Sequence, residues 1–191
     1  MDNKKWLLVI PVIIVLLVVL IIIRKNQGDN VLDKVNIEIS IKDYGKIQLE
    51  LDGKAAPITV KNFVNLVKDK YYDGLKFHRI MKGFMMQGGS DPSKPVNKIK
   101  GEFKNNGIEN PISHTRGTIS MARATDMNSA SSGFFIVHQD SLFLDGNYAG
   151  FGHVTSGIEV VDAICESVTP TDNNGTIPQD QQPVIEYIKI I

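Results

Sequence analysis

The residues of this chain that are best suited to chemistry match neither a motif for nucleophilic catalysis nor a motif for metal binding. Arg79 follows His78 in a short apolar segment, and Phe84, Met85 and Gln87 come directly after a glycine. An arginine keeps its charge at every working pH, and its planar fork gives its N–H donors a fixed direction. Beside apolar side chains that exclude water, such a donor can stabilise a developing lone pair. These residue types suit electrostatic catalysis by Arg79, whereas a single arginine taken alone is usually a solvated surface charge.

Two further clusters lie later in the chain. One covers residues 117–123 and leads through a loop of small residues into residues 131–136, and the other covers residues 142–148. Taken singly, the apolar residues of these clusters are explained by burial in strands and need no ligand. Only their grouping with an arginine and a glutamine indicates a site.

Composition excludes several classes of function. The 191 residues contain 21 Lys and Arg against 21 Asp and Glu, so the chain has no basic surplus for nucleic acid. Four scattered histidines and one cysteine show no metal-ligand spacing, and we expect no metal and no cofactor. His78 is predicted to be structural, the other histidines to lie on the surface or in the core, and Cys165 to be a buried small hydrophobe.

The N-terminus differs from the rest of the chain. Residues 6–23 are apolar apart from Pro11 and carry no charge. An 18-residue helix rises about 27 Å, close to the roughly 30 Å hydrocarbon layer, and no small-residue cleavage site follows. We therefore expect a short tail (residues 1–5), an uncleaved anchor in the lipid bilayer, a polar tether (residues 24–31) and a domain over residues 32–191. The small bias in flanking cations favours a single-pass protein of the cell membrane with its domain outside the cytoplasm.

The elements that must position the clusters are mainly strands. Alternating apolar residues over 35–41 and 47–51 predict a β-hairpin that opens an antiparallel sheet. Helical spacing after Pro57 and over 158–165 predicts two helices. Several short apolar runs between turn signals complete the pattern, which is typical of a closed or nearly closed β-barrel capped by helices.

Together the clusters resemble the cyclophilin family of peptidyl-prolyl cis-trans isomerases. The family motifs Phe-His-Arg, Phe-Met-x-Gln-Gly-Gly, Ser-x-Phe-Phe-Ile and Leu-Asp-Gly occur here in that order, within residues 32–191. The resemblance implies a closed eight-stranded antiparallel β-barrel capped by two α-helices. It also implies that proline-containing peptides and unfolded proteins are the partners, and that the reaction is rotation about X-Pro bonds.

The resemblance assigns roles to single residues, and the chemistry agrees with them. Twisting an X-Pro bond localises a lone pair on the prolyl nitrogen without making or breaking a bond, and Arg79 matches the catalytic donor to that nitrogen. The substrate-binding positions that match the family are Phe84, Met85, Gln87, Ala122, Arg123, Gly133, Phe135, Phe143, Leu144 and Tyr148.

Three of these positions depart from the common family pattern. Gly133 stands where a glutamine usually hydrogen-bonds the substrate, a loss of about 0.5–1.5 kcal/mol that predicts a several-fold lower efficiency. Phe143 replaces a tryptophan and has no indole N–H, so we expect weak binding of cyclosporin. Tyr148 replaces the histidine of animal members and keeps an aromatic wall.

Two alternatives to a tethered isomerase stay open at this point. A proline-peptide binding or scaffolding module would hold its clients at the membrane with little turnover, and the glycine at position 133 is compatible with that function. An inert barrel on an anchor would need a pocket filled by its own side chains.

Overall fold

A computed structural model of the chain describes residues 32–191. The predicted tail, membrane anchor and tether, residues 1–31, lie outside the described residues. Within residues 32–191 no helix is both long enough and apolar enough to cross a membrane.

The strands of this part are β1 (Lys34–Ile41), β2 (Gly45–Asp52), β3 (Phe77–Met81), β4 (Met85–Gly88), β5 (Thr118–Met121), β6 (Phe134–Val137), β7 (Gly150–Ser156) and β8 (Ile185–Ile190). Its helices are α1 (Pro57–Lys68) and α2 (Ile158–Ser167), with short 3-10 turns at Lys104–Asn106 and Leu142–Leu144.

The eight strands form one antiparallel sheet in the order β3-β4-β6-β5-β7-β2-β1-β8. The predicted hairpin is confirmed: β1 pairs with β2 so that Val35 faces Leu51 and Ile39 faces Ile47. Both predicted helices are also confirmed, and Pro57 occupies the first turn of α1. The mainly β architecture with two helices therefore follows the apolar periodicity of the sequence.

The prediction of a closed barrel is wrong, because the sheet is an open half-barrel with β3 and β8 as its edges. Lys76, just before β3, forms only an isolated bridge with Val184, just before β8. Farther along β3, the Ile80 N–H donates to the Gly175 carbonyl at 2.8 Å. The connection that precedes β8 thus satisfies the backbone of β3, and β8 is not needed on that edge.

The main core lies where α1 and α2 bury their apolar faces against the sheet. The helix α1 buries Phe63 and Val67 on this face, and α2 buries Val161 and Ile164. Cys165 is buried in the same core, as predicted, and burial raises the pKa of its thiol to about 12. This core fixes the strands on which the site is built.

Strands β4 and β6 belong to two apolar clusters at once. Met86, Phe134 and Ile136 pack in the main core, whereas Met85 and Phe135 belong to a second, smaller cluster. Successive residues of a strand point to opposite faces of the sheet. The same short strands therefore supply both the core and the floor of a cavity on the other face.

Candidate active site

A cavity of about 210 Å³ brings together all but two of the predicted site residues. The residues that line it are Arg79, Phe84, Met85, Gln87, Ala122, Arg123, Phe135, Leu144 and Tyr148. They come from β3, β4 and β6, from the residues that flank β4 and β5, and from the segment around the Leu142–Leu144 turn. Because the cavity is open, the interpretation as an inert barrel filled by its own side chains is wrong.

Arg79 is held at this cavity by hydrogen bonds from all three guanidinium nitrogens. Its Nε donates to the Asn174 carbonyl at 2.6 Å, its Nη1 to Gln87 Oε1 at 3.3 Å and its Nη2 to Met81 Sδ at 3.4 Å. The guanidinium carbon lies 5.9 Å from the centroid of the Phe84 ring. Arg79 and Gln87 face each other in the β3–β4 register, which explains why their side chains meet.

The Asn174 carbonyl is presented to Arg79 by a tight loop before β8. Asp172 Oδ1 accepts hydrogen bonds from the backbone N–H groups of Asn174 and Thr176, at 2.9 and 3.0 Å. The hydrogen bonds from Thr176 and Asn174 hold the pKa of Asp172 below its usual range. Gly175 adopts a φ of +86°, and a Cβ there would lie 2.4 Å from Met81 Cγ. The hydrogen bonds of Asp172 therefore hold the loop conformation, and only a glycine at position 175 leaves room for it.

Sequence reasoning missed the role of this loop. The Asn-Gly pair at 174–175 is a signal for a tight turn, and it was available in the sequence. The partner of Arg79, however, is the backbone carbonyl of Asn174, which every residue type possesses. The contact spans 95 positions of the chain, so no local pattern could have predicted it.

The floor of the cavity is apolar and buried. Met85, Phe135 and Leu144 are at most 7% exposed and form the small cluster with Val137. The Tyr148 ring stands edge-on to Phe135 with 5.9 Å between the ring centroids. An apolar slot with one open side is suited to a small apolar ring from which water must be excluded.

His114 supports this floor from behind. Its Nδ1 lies 2.7 Å from Asp145 Oδ1, its Nε2 lies 2.9 Å from Ser120 Oγ, and its ring stacks on Phe135 with 6.1 Å between centroids. Burial lowers the pKa of His114, although Asp145 acts in the opposite direction. Ser120 is fully buried and cannot meet a substrate, so this Ser-His-Asp arrangement is structural. The prediction of a core histidine is confirmed here.

Arg123 contributes a second guanidinium to the cavity. Its Nε donates to the Asn147 carbonyl at 3.0 Å. Its guanidinium carbon lies 4.6 Å from the centroid of the Tyr148 ring and 5.2 Å from that of Phe103. The Arg123 side chain is therefore part of the wall of the cavity.

Gly133 and Phe143 are the two predicted residues that do not line the cavity. Gly133 lies beside it, where its carbonyl accepts a hydrogen bond from the Ala122 N–H at 2.9 Å. A Cβ at position 133 would meet Ala122 Cβ and Ser90 Cβ at 3.6 Å, which is ordinary contact. Phe143 is 71% exposed, and its ring lies 5.5 Å from that of Phe84. Both residues border the cavity.

Comparisons with known proteins agree on one family. The sequence profile of the family described as cyclophilin type peptidyl-prolyl cis-trans isomerase/CLD matches residues 35–190. Peptidyl-prolyl cis-trans isomerase A of Dickeya dadantii is 43% identical over 156 residues, which cover 77% of this chain and 80% of the relative. Peptidyl-prolyl cis-trans isomerase B of Bacillus subtilis is 42% identical over 123 residues, which cover 62% of this chain and 82% of the relative.

The fold comparison reaches the same result. The crystal structure of a cyclophilin type peptidyl-prolyl cis-trans isomerase of Cryptosporidium parvum, determined in the presence of the dipeptide Ala-Pro, superposes with a TM-score of 0.70 at 27% identity. The match covers 82% of this chain and 98% of that one.

An open half-barrel with a fixed arginine beside an apolar slot defines a class of site that is suited to a small ring and to the stabilisation of charge next to it. The profile match and the two bacterial relatives add the family: this chain belongs to the cyclophilin type peptidyl-prolyl cis-trans isomerases. It is an isomerase, and it changes the conformation of a prolyl peptide bond without making or breaking a covalent bond.

Proposed function

We propose that Arg79 is the catalytic residue of this isomerase. Rotation about an X-Pro bond meets a barrier of about 18–20 kcal/mol, because twisting removes the amide resonance. The twisted state has a localised lone pair on the prolyl nitrogen, and a donor aimed at it stabilises the twisted state more than the planar ones. A guanidinium has five N–H donors. Three of them bind Asn174, Gln87 and Met81, which leaves N–H groups for the substrate.

The substrates we propose are proline-containing peptides and unfolded proteins. The proline ring would occupy the slot floored by Phe135, with Met85 and Leu144 beside it. Gln87 accepts from Arg79 through Oε1, so its amide N–H groups stay available for a substrate carbonyl. Ala122 uses its N–H in the bond to Gly133 and would offer its carbonyl to an extended chain. The presence of the dipeptide Ala-Pro in the Cryptosporidium parvum crystal structure supports this substrate class.

The single observation that carries the catalytic proposal is the three-point fixation of Arg79 beside an open apolar cavity. The test is NMR exchange spectroscopy on a short X-Pro peptide with the full chain in detergent micelles. Loss of one fixed donor costs about 100- to 1,000-fold in comparable electrostatic sites, and we expect a fall of this order in Arg79→Ala. Arg79→Lys should recover only part of the rate, since an ammonium is a flexible point charge. A folded Arg79→Ala protein with the wild-type rate would contradict the proposal.

We propose further that residues 6–23 anchor the enzyme in the cell membrane and that the domain acts outside the cytoplasm on emerging or unfolded chains. The support comes from the sequence, where the uncharged apolar segment is flanked by Lys4 and Lys5 on one side and by Arg24 and Lys25 on the other. A cysteine introduced into the tether, in a chain whose Cys165 is replaced, tests the orientation in intact cells. Labelling by an impermeant thiol reagent is expected. Labelling only after lysis would place the domain inside.

A further inference from the structure

The Arg123 side chain is the second cation of the active-site cavity, and the isomerisation mechanism does not use it. It is half-buried against two aromatic rings, with its guanidinium carbon 4.6 Å from the Tyr148 centroid. Its Nε donates to the Asn147 carbonyl at 3.0 Å, and its Nη1 donates to the carbonyls of Ala124 and Thr125 at 2.9 and 3.2 Å. These contacts hold the guanidinium in the wall of the cavity.

The hydrogen bonds of Arg123 use two of its three guanidinium nitrogens, Nε and Nη1. Its Nη2 donates to no group within residues 32–191, whereas every guanidinium nitrogen of Arg79 has a protein partner. The N–H groups of Nη2 lie in the plane of the guanidinium, where they can donate a charge-assisted hydrogen bond to a carboxylate oxygen. The Nη2 group therefore suits one oxygen of a carboxylate that arrives with the substrate.

The charged side chains that line the cavity are all positive. Its lining contains two arginines and, among the residues the structure describes, no carboxylate. Asp145, which follows Leu144 in the chain, accepts hydrogen bonds from Ser113 and His114, and Asp126, three residues after Arg123, accepts one from the Asn128 N–H. Residues 26–191 as a whole carry 17 positive and 20 negative groups. The positive charge at the cavity is thus a local feature of a mildly acidic domain.

We propose that Arg123 gives this isomerase a preference for substrates with a carboxylate side chain close to the proline. The proposal rests on the proposed function, because it places the proline ring on Phe135. An extended peptide advances about 3.3 Å per residue, so the side chains one or two positions from the proline pass the wall formed by Tyr148 and Arg123. A glutamate or aspartate there gains a charge-assisted bond, and a lysine is repelled.

The test compares short peptides that differ only in one charge. Glutamate, its isostere glutamine, or lysine is placed at either of the two positions before the proline or at the position after it. The isomerisation efficiency of the full chain is measured for each peptide by NMR exchange. In the wild type we expect the glutamate peptide to exceed the glutamine peptide by about two- to fivefold at one of these positions, with lysine the slowest.

The Glu/Gln ratio separates a charge preference from a structural role. Arg123 also supports Asn147 and residues 124–125, so Arg123→Gln can lower the rate for every peptide. A general loss of this kind leaves the ratio unchanged, whereas the proposal predicts that the ratio falls to about one. Arg123→Lys should keep part of it. The matched control is Lys54→Gln, which removes an equal charge from a side chain that is 74% exposed and outside the cavity, and which should keep the whole ratio.

Ionic strength gives a second readout. The Debye length falls from about 30 Å at 0.01 M salt to about 3 Å at 1 M, so the wild-type ratio should shrink as salt is added. A wild-type ratio of one at all three positions, or a ratio that survives in Arg123→Gln, would overturn the proposal. If the neutral glutamine peptides are isomerised in those experiments, the proposed function stands and only the acidic preference fails. If no peptide is isomerised by the wild type, the proposed function itself has failed.

Discussion

Phe134 and Phe135 are neighbours on β6, yet they belong to two different regions of the molecule. Phe134 is fully buried in the main core, where its ring stands edge-on to Phe63 with 5.5 Å between centroids. Phe135 is buried in the small cluster and packs between the His114 ring and the Tyr148 ring. Protein surrounds Phe134 in every direction, whereas the cavity at Phe135 leaves one direction open for a ligand.

The comparison shows two ways of holding a side chain. In the main core, close packing of apolar groups determines each position. At the cavity packing leaves one side open, and hydrogen bonds hold the polar side chains around the apolar floor. His114 is fixed behind Phe135 by Asp145 and Ser120, and Arg79 is fixed by the carbonyl of a distant loop.

The largest effect should come from truncating the two phenylalanines one at a time. Replacing a fully buried phenylalanine by alanine lowers the unfolding free energy of a protein by about 3–5 kcal/mol. We expect Phe134→Ala to fall in this range. Phe135→Ala should lose less stability, because its ring already borders an open cavity, but should lose most of the isomerase activity. Urea unfolding and peptide exchange measure the two quantities. Equal losses of stability in both variants would contradict the distinction between the regions.

Gly175→Ala should disturb the cavity while sparing the core. The new Cβ would lie 2.4 Å from Met81 Cγ and 2.8 Å from the Ile80 carbonyl oxygen, so the loop must shift. The Asn174 carbonyl then moves away from Arg79 Nε, and we expect the turnover to fall by about tenfold or more. The rate on a saturating X-Pro peptide measures this.

Gly107→Ala is the matched control for that experiment. Gly107 has a φ of +76°, close to the +86° of Gly175, but a Cβ there would meet nothing within 4 Å. Both variants carry the same backbone strain, and only Gly175→Ala moves the partner of Arg79. A similar fall in turnover for both would show that backbone strain alone is responsible.

Acid should weaken the fold in two different pH ranges, one set by His114 behind the cavity and one by Glu38 on β1. Burial lowers the pKa of His114 from 6.5, so the folded state favours the neutral ring, and this stability is complete above pH 6.5 and is lost as the pH falls through the lower folded value. Hydrogen bonds from Lys189 and Tyr187 lower the pKa of Glu38 on β1 from 4.5 to about 2, so its contribution is lost between those two values. Urea unfolding as a function of pH should show both losses.

Two variants test which residue causes each loss of stability. His114→Asn should flatten part of the decline just below pH 6.5, and Glu38→Gln should flatten part of the decline between pH 4.5 and 2. If either variant changes the other range instead, the assignment of that range to its residue is wrong.

The smallest effect concerns the border of the cavity. Gly133→Gln introduces the amide that the family resemblance leads us to expect at this position, and its Cβ fits at 3.6 Å from its neighbours. One net hydrogen bond of about 0.5–1.5 kcal/mol corresponds to a several-fold rise in efficiency. Gly133→Ala adds the carbon without the amide. A rise no greater in the glutamine variant than in the alanine variant would exclude a hydrogen bond as its cause.

Much of the fold was predictable because its signals are local. Alternation predicted the β1–β2 hairpin, and helical spacing predicted α1 and α2. The prediction that the barrel closes was wrong, because closure depends on which segment reaches the free edge of β3. That segment is the loop around Gly175, whose sequence indicates a turn and does not indicate a neighbour.

The sequence by itself determined the family, the strand periodicity and the residue types that line the cavity, since these depend on local patterns and on motifs read in order. Only the tertiary structure decided that the Asn174 carbonyl holds Arg79 and that the side chain of Arg123 rests on Tyr148. The physical reason is that backbone carbonyls are the same in every residue and that these contacts join segments far apart in the chain. Such contacts exist only once the core has placed both segments side by side.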